Sequence, residues 1–149
     1  MNQPLYKRLL LPTDGSDASR RAIQSGVELA KTLGAEVVAM TATPEFHTFT
    51  ADTAMLEQTR EQYADASRAQ GQRLLDEAVA AARQAGVPCS GVHIVSDEPY
   101  EAILSTAREQ MCDLIVMASH GRKGIKGLLL GSETQKVLVH SLIPVLVHR

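Results

Sequence analysis

Apolar residues in this chain are concentrated in five short runs. The run at 114–118, LIVMA, is apolar throughout, and the others are mostly so. Runs of this length without regular polar alternation are typical of strands that are buried on both faces of a sheet. The pattern therefore predicts five strands, at Tyr6–Leu11, Ala35–Ala42, Gly91–Val95, Leu114–Ala118 and Val145–Val147.

Four helices are predicted between these strands. In the intervening stretches, apolar residues recur at helical spacing or the composition is rich in Ala, Glu, Arg and Gln, which favours helix. Glycine or proline stands near the boundaries of most of these stretches. The segment Thr43–Ala54 has no clear period and is predicted to be a loop. The helices are predicted to extend from Asp17 to Leu33, from Leu56 to Gln84, from Pro99 onward and from Ser132 to His140.

Strands alternate with helices along the whole chain, which predicts an α/β fold with a mainly parallel sheet and helices on both faces. The 149 residues show no repeat or linker and are expected to form a single domain over residues 1–149. In such sheets ligands bind beyond the carboxyl ends of the strands, where the strand order reverses. Turn residues are concentrated at Pro12–Ser16 and Ala118–Ser132, so the switch point is expected between the first and fourth strands.

Composition and charge argue against several classes of function. A net charge of -2 gives no electrostatic attraction for nucleic acid, and 3% aromatic residues without tryptophan do not suggest a base-stacking surface. The N-terminal segment has only the short apolar run Leu9–Leu11, which fits neither a signal peptide nor a membrane span. The protein is therefore expected in the cytoplasm. Cys89 and Cys112 show no metal-type spacing and are expected to be reduced core residues.

The segment after the fourth strand carries most of the candidate chemistry. Four of the ten glycines fall between Ala118 and Ser132, directly before the last helix. Glycine lets backbone N–H groups converge on an anion, and the helix adds its unpaired N–H groups and positive dipole end. The hydroxyls of Ser132 or Thr134 are candidate donors to a phosphate, and Arg122 and Lys123 supply positive charge. The alternative is a solvated loop in which Ser132 only caps a helix.

Four stretches of the sequence together resemble one known family. They are PTDGS after the first strand, DLIVMASHGRKG at the fourth, GLLLGSETQKVL before the last helix and IPVLVHR at the end. This combination resembles the universal stress protein family, and the resemblance covers essentially the full chain. It implies a Rossmann-type fold, similar to the adenine nucleotide alpha-hydrolases, with strand order 3-2-1-4-5.

The spacing of the glycines separates this segment from the commonest phosphate motifs, GxxxxGK[ST] and GxGxxG. Nucleotide-binding members of the family carry the pattern G-x2-G-x9-G-[ST], which falls here on Ala118, Gly121, Gly131 and Ser132. Three positions match, and the first is alanine. If that position needed a positive φ, alanine would cost about 1 kcal/mol or more, whereas close approach alone tolerates a methyl group.

The resemblance implies an ATP site, with any Mg²⁺ carried by the phosphates and no metal ligand from the protein. Asp14 would lie near the ribose, while Pro12 and the backbone near Thr41 would border the adenine. The phosphates would lie against the glycine-rich segment and the start of the last helix. The expected nucleotide-binding residues are Pro12, Thr13, Asp14, Thr41, Met117, Ala118, Ser119, His120, Gly121, Arg122, Lys123, Gly131, Ser132, Glu133 and Thr134.

The last strand, Val145–Val147, would lie at a sheet edge, where an apolar strand pairs readily with another chain. The resemblance implies a homodimer formed there. The favoured function is a dimeric ATP-binding regulatory protein in the stress response, which acts through an unknown protein partner. One alternative is a dimeric adaptor of the same fold that does not bind nucleotide.

The other alternative is an enzyme that uses ATP to activate a substrate. Related enzymes of this fold carry an SGGxDS-type loop or an HxGH pair, and this sequence has neither. It also shows no paired carboxylates and no nucleophile with an adjacent base. ATP hydrolysis is expected to be slow at most, and no catalytic residue is assigned.

Overall fold

A computed structural model of the chain describes residues 3–47, 53–121 and 130–149. These residues form five strands and four helices in the predicted alternation. In chain order they are β1 Arg8–Pro12, α1 Asp17–Leu33, β2 Glu36–Thr43, α2 Thr53–Gln84, β3 Cys89–Val95, α3 Pro99–Glu109, β4 Leu114–Ala118, α4 Ser132–His140 and β5 Val145–His148.

The five strands form one sheet in the order β3-β2-β1-β4-β5, and every neighbouring pair is parallel. The predicted class and strand order are confirmed. The chain builds outward from β1 through β2 to β3 and then returns to β4 on the other side of β1. The carboxyl ends of β1 and β4 are therefore the switch point of the sheet, where the connecting segments diverge in opposite directions.

Both faces of the sheet are covered by helices. Leu9 and Leu11 pack with α1 and α2, whereas Leu10 packs with α3 and α4. All three leucines are fully buried because β1, the strand to which they belong, has a helical layer on each side. This double burial is the physical reason that β1 and β4 read as continuous apolar runs in the sequence.

The central strands were easier to predict than the edge strand β3. β3 begins at Cys89, two residues before its predicted start, and Ser90 and Gly91 on it are exposed. Cys112 is buried as expected, and burial raises the pKa of its thiol to about 11. The expectation that Cys89 is a core residue was wrong: it is only half-buried, because β3 has a neighbouring strand on one side alone.

The helix α2 extends beyond the sheet. Its 32 residues span about 48 Å, whereas the eight residues of the longest strand span about 26 Å. The helix starts at Thr53, inside the segment that was predicted to be a loop. Its buried positions, from Gly71 to Ala82, lie in the second half, and most of the described positions in the first half are exposed. Within the described residues, no helix is long and apolar enough to cross a membrane.

Candidate functional site

The segment after β1 forms a tight turn that holds Asp14. Thr13 is buried and its hydroxyl accepts a hydrogen bond from the Gly15 N–H at 3.1 Å. Gly15 has a φ of 81°, a left-handed conformation that favours glycine. Asp14 Oδ1 accepts from the Ser16 N–H at 2.9 Å and from the Ser19 hydroxyl at 3.1 Å. The carboxylate is therefore fixed by the first residues around the start of α1.

The N-terminus of α1 is capped by its own segment. Ser16 is the N-cap residue, and its hydroxyl accepts from the Ser19 N–H at 3.1 Å. Asp17 adds a negative charge to the first turn, which the helix dipole favours. The start of α1 is thus stabilised by internal side chains.

The side chains of two expected site residues, Thr41 and Met117, are used inside the protein. The Thr41 hydroxyl is buried and donates to the Thr13 carbonyl at 2.7 Å, which ties β2 to the turn after β1. Met117 packs in the core on the side of α3 and α4. Pro12 closes β1 opposite Met40 of β2, next to this tie. At Thr41 and Met117, any contact with a ligand would therefore come from the backbone.

Ala118, which stands in place of the first family glycine, lies in extended backbone at the end of β4. It pairs with His148 of β5, and its methyl group packs against Ala18 and Ala22 of α1. Among the described residues, the positive-φ position that is not glycine is Met111, so Ala118 does not need the left-handed region. The backbone at 118 imposes no glycine requirement.

Ser119, the first residue after β4, contacts both β5 and the residue that precedes α4. The Ser119 N–H donates to the His148 carbonyl at 2.9 Å, which extends the β4–β5 ladder by one residue. The Ser119 carbonyl accepts from the Gly131 N–H at 2.6 Å and so joins the start of the segment to its end. The Ser119 hydroxyl contacts His120 Nδ1 at 3.1 Å, but this hydroxyl is buried.

The two loops approach each other closely at two glycines. A Cβ on Gly121 would overlap Asp14 Oδ2, so the backbone after β4 lies directly against the carboxylate after β1. A Cβ on Gly131 would lie 3.1 Å from the Cα of His120, which is tighter than ordinary contact. The structure therefore brings together Asp14 and the glycine-rich segment, two features that are more than a hundred residues apart in sequence.

The N-terminus of α4 differs from that of α1. Its N-cap residue is Gly131, in extended backbone, and in the described part of the chain no side chain caps the first turn. The Ser132 side chain is exposed. The N–H groups of the first turn and the positive end of the helix dipole are thus directed toward the carboxyl ends of β1 and β4, which suits an anion.

The side chains of Glu133 and Thr134 do not face this opening. Glu133 Oε2 accepts from the Tyr100 N–H at 2.9 Å and so caps the first turn of α3. The Thr134 hydroxyl is buried and donates to the Ala118 carbonyl at 3.0 Å. The hydroxyl donor expected of Thr134 is therefore already used within the protein, and these two residues can offer an anion only their backbone N–H groups.

A model of the universal stress protein family matches residues 5–149. The chain belongs to the universal stress protein family. The universal stress protein YxiE of Bacillus subtilis is 32% identical to it over 97% of this chain and 100% of its own length. The resemblance seen in the sequence motifs is confirmed.

Solved structures of the family have the same fold. The universal stress protein UspA from Lactobacillus plantarum has a TM-score of 0.83 at 23% identity, covering 97% of this chain and 98% of its own. A universal stress protein solved in complex with cAMP has a TM-score of 0.68 at 26% identity, with 97% of each chain covered. The site described above therefore belongs to a universal stress protein fold of which one relative has been seen with a cyclic nucleotide.

Two expected site residues, Arg122 and Lys123, lie outside the described residues. The structure also gathers three residues that sequence spacing did not connect, because the ligand atoms of Glu45, His47 and Asp97 lie within 4.8 Å of one another. His47 Nε2 contacts Asp97 Oδ2 at 2.6 Å, and this hydrogen bond is the main reason that the pKa of Asp97 is lowered. All three are exposed, and the hydrogen bonds that Asp97 accepts from the Glu45 N–H and shares with His47 account for the group without a metal.

Proposed function

We propose that this universal stress protein binds an adenine nucleotide, ATP, at the carboxyl ends of β1 and β4. The observation that carries the proposal is the uncapped first turn of α4, which begins at Gly131. Unpaired N–H groups at a helix N-terminus bind phosphate, and the helix dipole favours its negative charge. In a fold where α1 is capped by Ser16, the start of α4 is the better place for an anion.

The surrounding residues fit such a ligand. The backbone N–H groups of Ser132, Glu133 and Thr134, together with the exposed Ser132 hydroxyl, would hold the phosphates. Gly121 allows close approach beside Asp14, whose carboxylate would accept from a ribose hydroxyl. Pro12 and the backbone at Thr41 would border the adenine.

Charge compensation belongs to the same proposal. Arg122 and Lys123 would supply positive charge to the phosphates, and a bound Mg²⁺ would come with the nucleotide and neutralise part of its charge. Ser119 and His120 would keep the loop in place through their contacts to each other and to Gly131. The relative solved with cAMP supports adenine nucleotides as the class of ligand.

The alternative of an adaptor without nucleotide was motivated by Ala118. The backbone at this position is extended, and the methyl group packs against α1. Because the local conformation does not need glycine, Ala118 gives little support to an adaptor that lacks nucleotide. An enzymatic role is less favoured, since the Ser119 hydroxyl beside His120 is buried and not presented to a substrate. The proposed role is therefore regulatory, in the stress response.

We further propose that residues 1–149 act as one domain within a cytoplasmic homodimer. β5 is an edge strand that pairs with β4 on one side. Large apolar side chains near this edge are exposed, among them Leu142, Val139 and Leu146. Pairing of the Val145–Val147 segments of two chains would cover part of this surface.

Isothermal titration of the purified protein with ATP, together with mass spectrometry of any nucleotide that copurifies, tests the proposed site. In Gly121→Ala the new methyl group would displace the Asp14 carboxylate, and the affinity for ATP is expected to fall about tenfold. Gly91→Ala, on the edge strand β3, adds the same methyl group outside the site and should leave the affinity unchanged. A wild-type protein that carries no nucleotide and does not bind added ATP would contradict the proposal.

A further inference from the structure

A pocket lies at the β3 edge of the sheet, between the first half of α2, here called its outer half, and the segment that follows β2. Its volume is about 310 Å³, and its lining includes Phe46, Arg60, Tyr63, Ser67, Arg68 and His93. None of these residues belongs to the proposed nucleotide site. We propose that this pocket binds a planar aromatic carboxylate.

Aromatic rings form one wall of the pocket. The rings of Phe46 and Tyr63 lie with their centroids 5.4 Å apart and their planes inclined at 50°. The Tyr63 hydroxyl donates to the Pro44 carbonyl at 2.8 Å, which fixes the orientation of its ring. Tilted rings at this distance offer a face and an edge to a third aromatic ring, so the wall suits a flat ligand.

The imidazole of His93 forms another part of the lining. It packs directly on the backbone of Gly71 in α2, where a Cβ would lie 2.9 Å from its Cδ2 atom. His93 Nε2 contacts the Thr43 hydroxyl at 2.7 Å, which fixes the ring from the other side. Burial, and secondarily the charge of Arg68, lower the pKa of His93, which favours the neutral ring. This side of the pocket is a flat imidazole with contacts on both sides.

Two arginines of α2 bring positive charge to the pocket. Arg60 and Arg68 are eight residues apart, about 12 Å along the helix. The Arg60 guanidinium lies 5.6 Å from the centre of the Phe46 ring, whereas Arg68 contacts Asp65 at 3.3 Å. Among the described lining residues, two carry a positive charge and none carries a carboxylate.

The size and the charge together define the ligand. Pockets for small molecules begin at about 300 Å³, so this one has room for one or two fused rings. A guanidinium matches a carboxylate with two parallel hydrogen bonds, and it also stacks on aromatic faces. Arg68 already has the Asp65 carboxylate as a partner, so Arg60, beside the Phe46 ring, is the arginine better placed for the ligand. An aromatic ring with one carboxylate uses both the apolar wall and Arg60, whereas a neutral ring uses the wall alone.

Calorimetric titration of the full chain with 1-naphthoate tests the proposal, with 1-naphthalenemethanol as the neutral probe of similar shape. We expect saturable binding of 1-naphthoate and binding of the neutral probe that is weaker by about tenfold, as expected for loss of a charge-assisted hydrogen bond. Amide NMR shifts should be confined to the outer half of α2 and the end of β3. Equal binding of the two probes, absent binding, or shifts centred on β5 and α4 would each overturn the proposal.

Paired arginine variants locate the charge. The double variant Arg60→Gln, Arg68→Gln should lose at least about tenfold in affinity for 1-naphthoate. Arg73→Gln, on the same helix but outside the pocket lining, should stay within about twofold of the wild type. Unchanged binding in the double variant would refute the role of the arginines. If that variant does not fold, the comparison of charged and neutral probes on the wild type still decides.

Discussion

The N-termini of α1 and α4 occupy equivalent places in the fold but differ in how they are capped. Each helix follows one of the two central strands, β1 or β4, at the switch point of the sheet. At α1 the Ser16 hydroxyl accepts from the Ser19 N–H. At α4 the N-cap residue is Gly131, and no side chain of the described residues takes that role. Both helices place the positive end of their dipole at this edge of the sheet, so the difference lies in whether the protein or a ligand completes the first turn.

This contrast explains why few side chains are needed at the candidate site. Asp14, which helps to organise the start of α1, is brought against Gly121 and so faces the segment that leads into α4. The Glu133 carboxylate at the start of α4 is turned away and caps α3 instead. The fold thus leaves one first turn without a side-chain cap beside one carboxylate, an arrangement suited to phosphates on one side and a sugar hydroxyl on the other.

The largest effect is expected from giving α4 the kind of cap that α1 has. In Gly131→Asp, the new carboxylate would accept hydrogen bonds from the first-turn N–H groups and bring negative charge to the place proposed for the phosphates. The affinity for ATP should fall about 100-fold or more, equivalent to about 2.7 kcal/mol. Isothermal titration with ATP measures this loss, and urea unfolding checks that the fold is retained.

Gly131→Asn is the matched control, because it adds the same Cβ and a cap of similar shape without the charge. It should lose about tenfold in affinity, from crowding against His120 and from occupation of the N–H groups. The difference between the two variants isolates the charge. Wild-type affinity in Gly131→Asp would show that the phosphates do not lie at the start of α4.

A smaller effect, on stability and not on binding, is expected from removing the cap of α1. Ser16→Ala deletes the acceptor for the Ser19 N–H and should lower the free energy of unfolding by about 1.5 kcal/mol. The affinity for ATP should change by less than about twofold, because the Ser16 N–H that holds Asp14 belongs to the backbone. Urea unfolding and ATP titration of the same preparation separate the two quantities. If the loss of binding free energy for ATP were larger than the loss of unfolding free energy, the N-termini of the two helices would not be independent.

The sequence predicted those parts of the fold whose signal is local. The bounds of β4 and α4 were correct because a strand buried on both faces and a helix that follows a glycine are both visible in neighbouring residues. The starts of β3 and α2 were missed, since an exposed edge strand has weak apolar patterning and Thr43–Ala54 shows no period.

At the candidate site, residue types were predictable and their contacts were not. Asp14 and Gly121 were each singled out, but their direct contact depends on how β1 and β4 lie side by side. Likewise, no local pattern shows that the Thr134 hydroxyl donates to Ala118 or that Asp97 reaches His47 across fifty residues. Such contacts follow from the strand order, which is a property of the whole sheet.

The smallest effect on binding is expected at Ala118, at the end of β4, where its methyl group packs on α1. Ala118→Gly restores the family pattern but removes the methyl group that packs on Ala18 and Ala22, and it adds backbone freedom to a strand. The free energy of unfolding should fall by about 1 kcal/mol, measured by urea unfolding. The affinity for ATP should stay within about twofold, because the backbone at 118 is already extended with alanine. A tenfold gain in affinity would instead show that the methyl group obstructs the nucleotide, and the contrast between the capped and the uncapped helix would then not be enough to define the site.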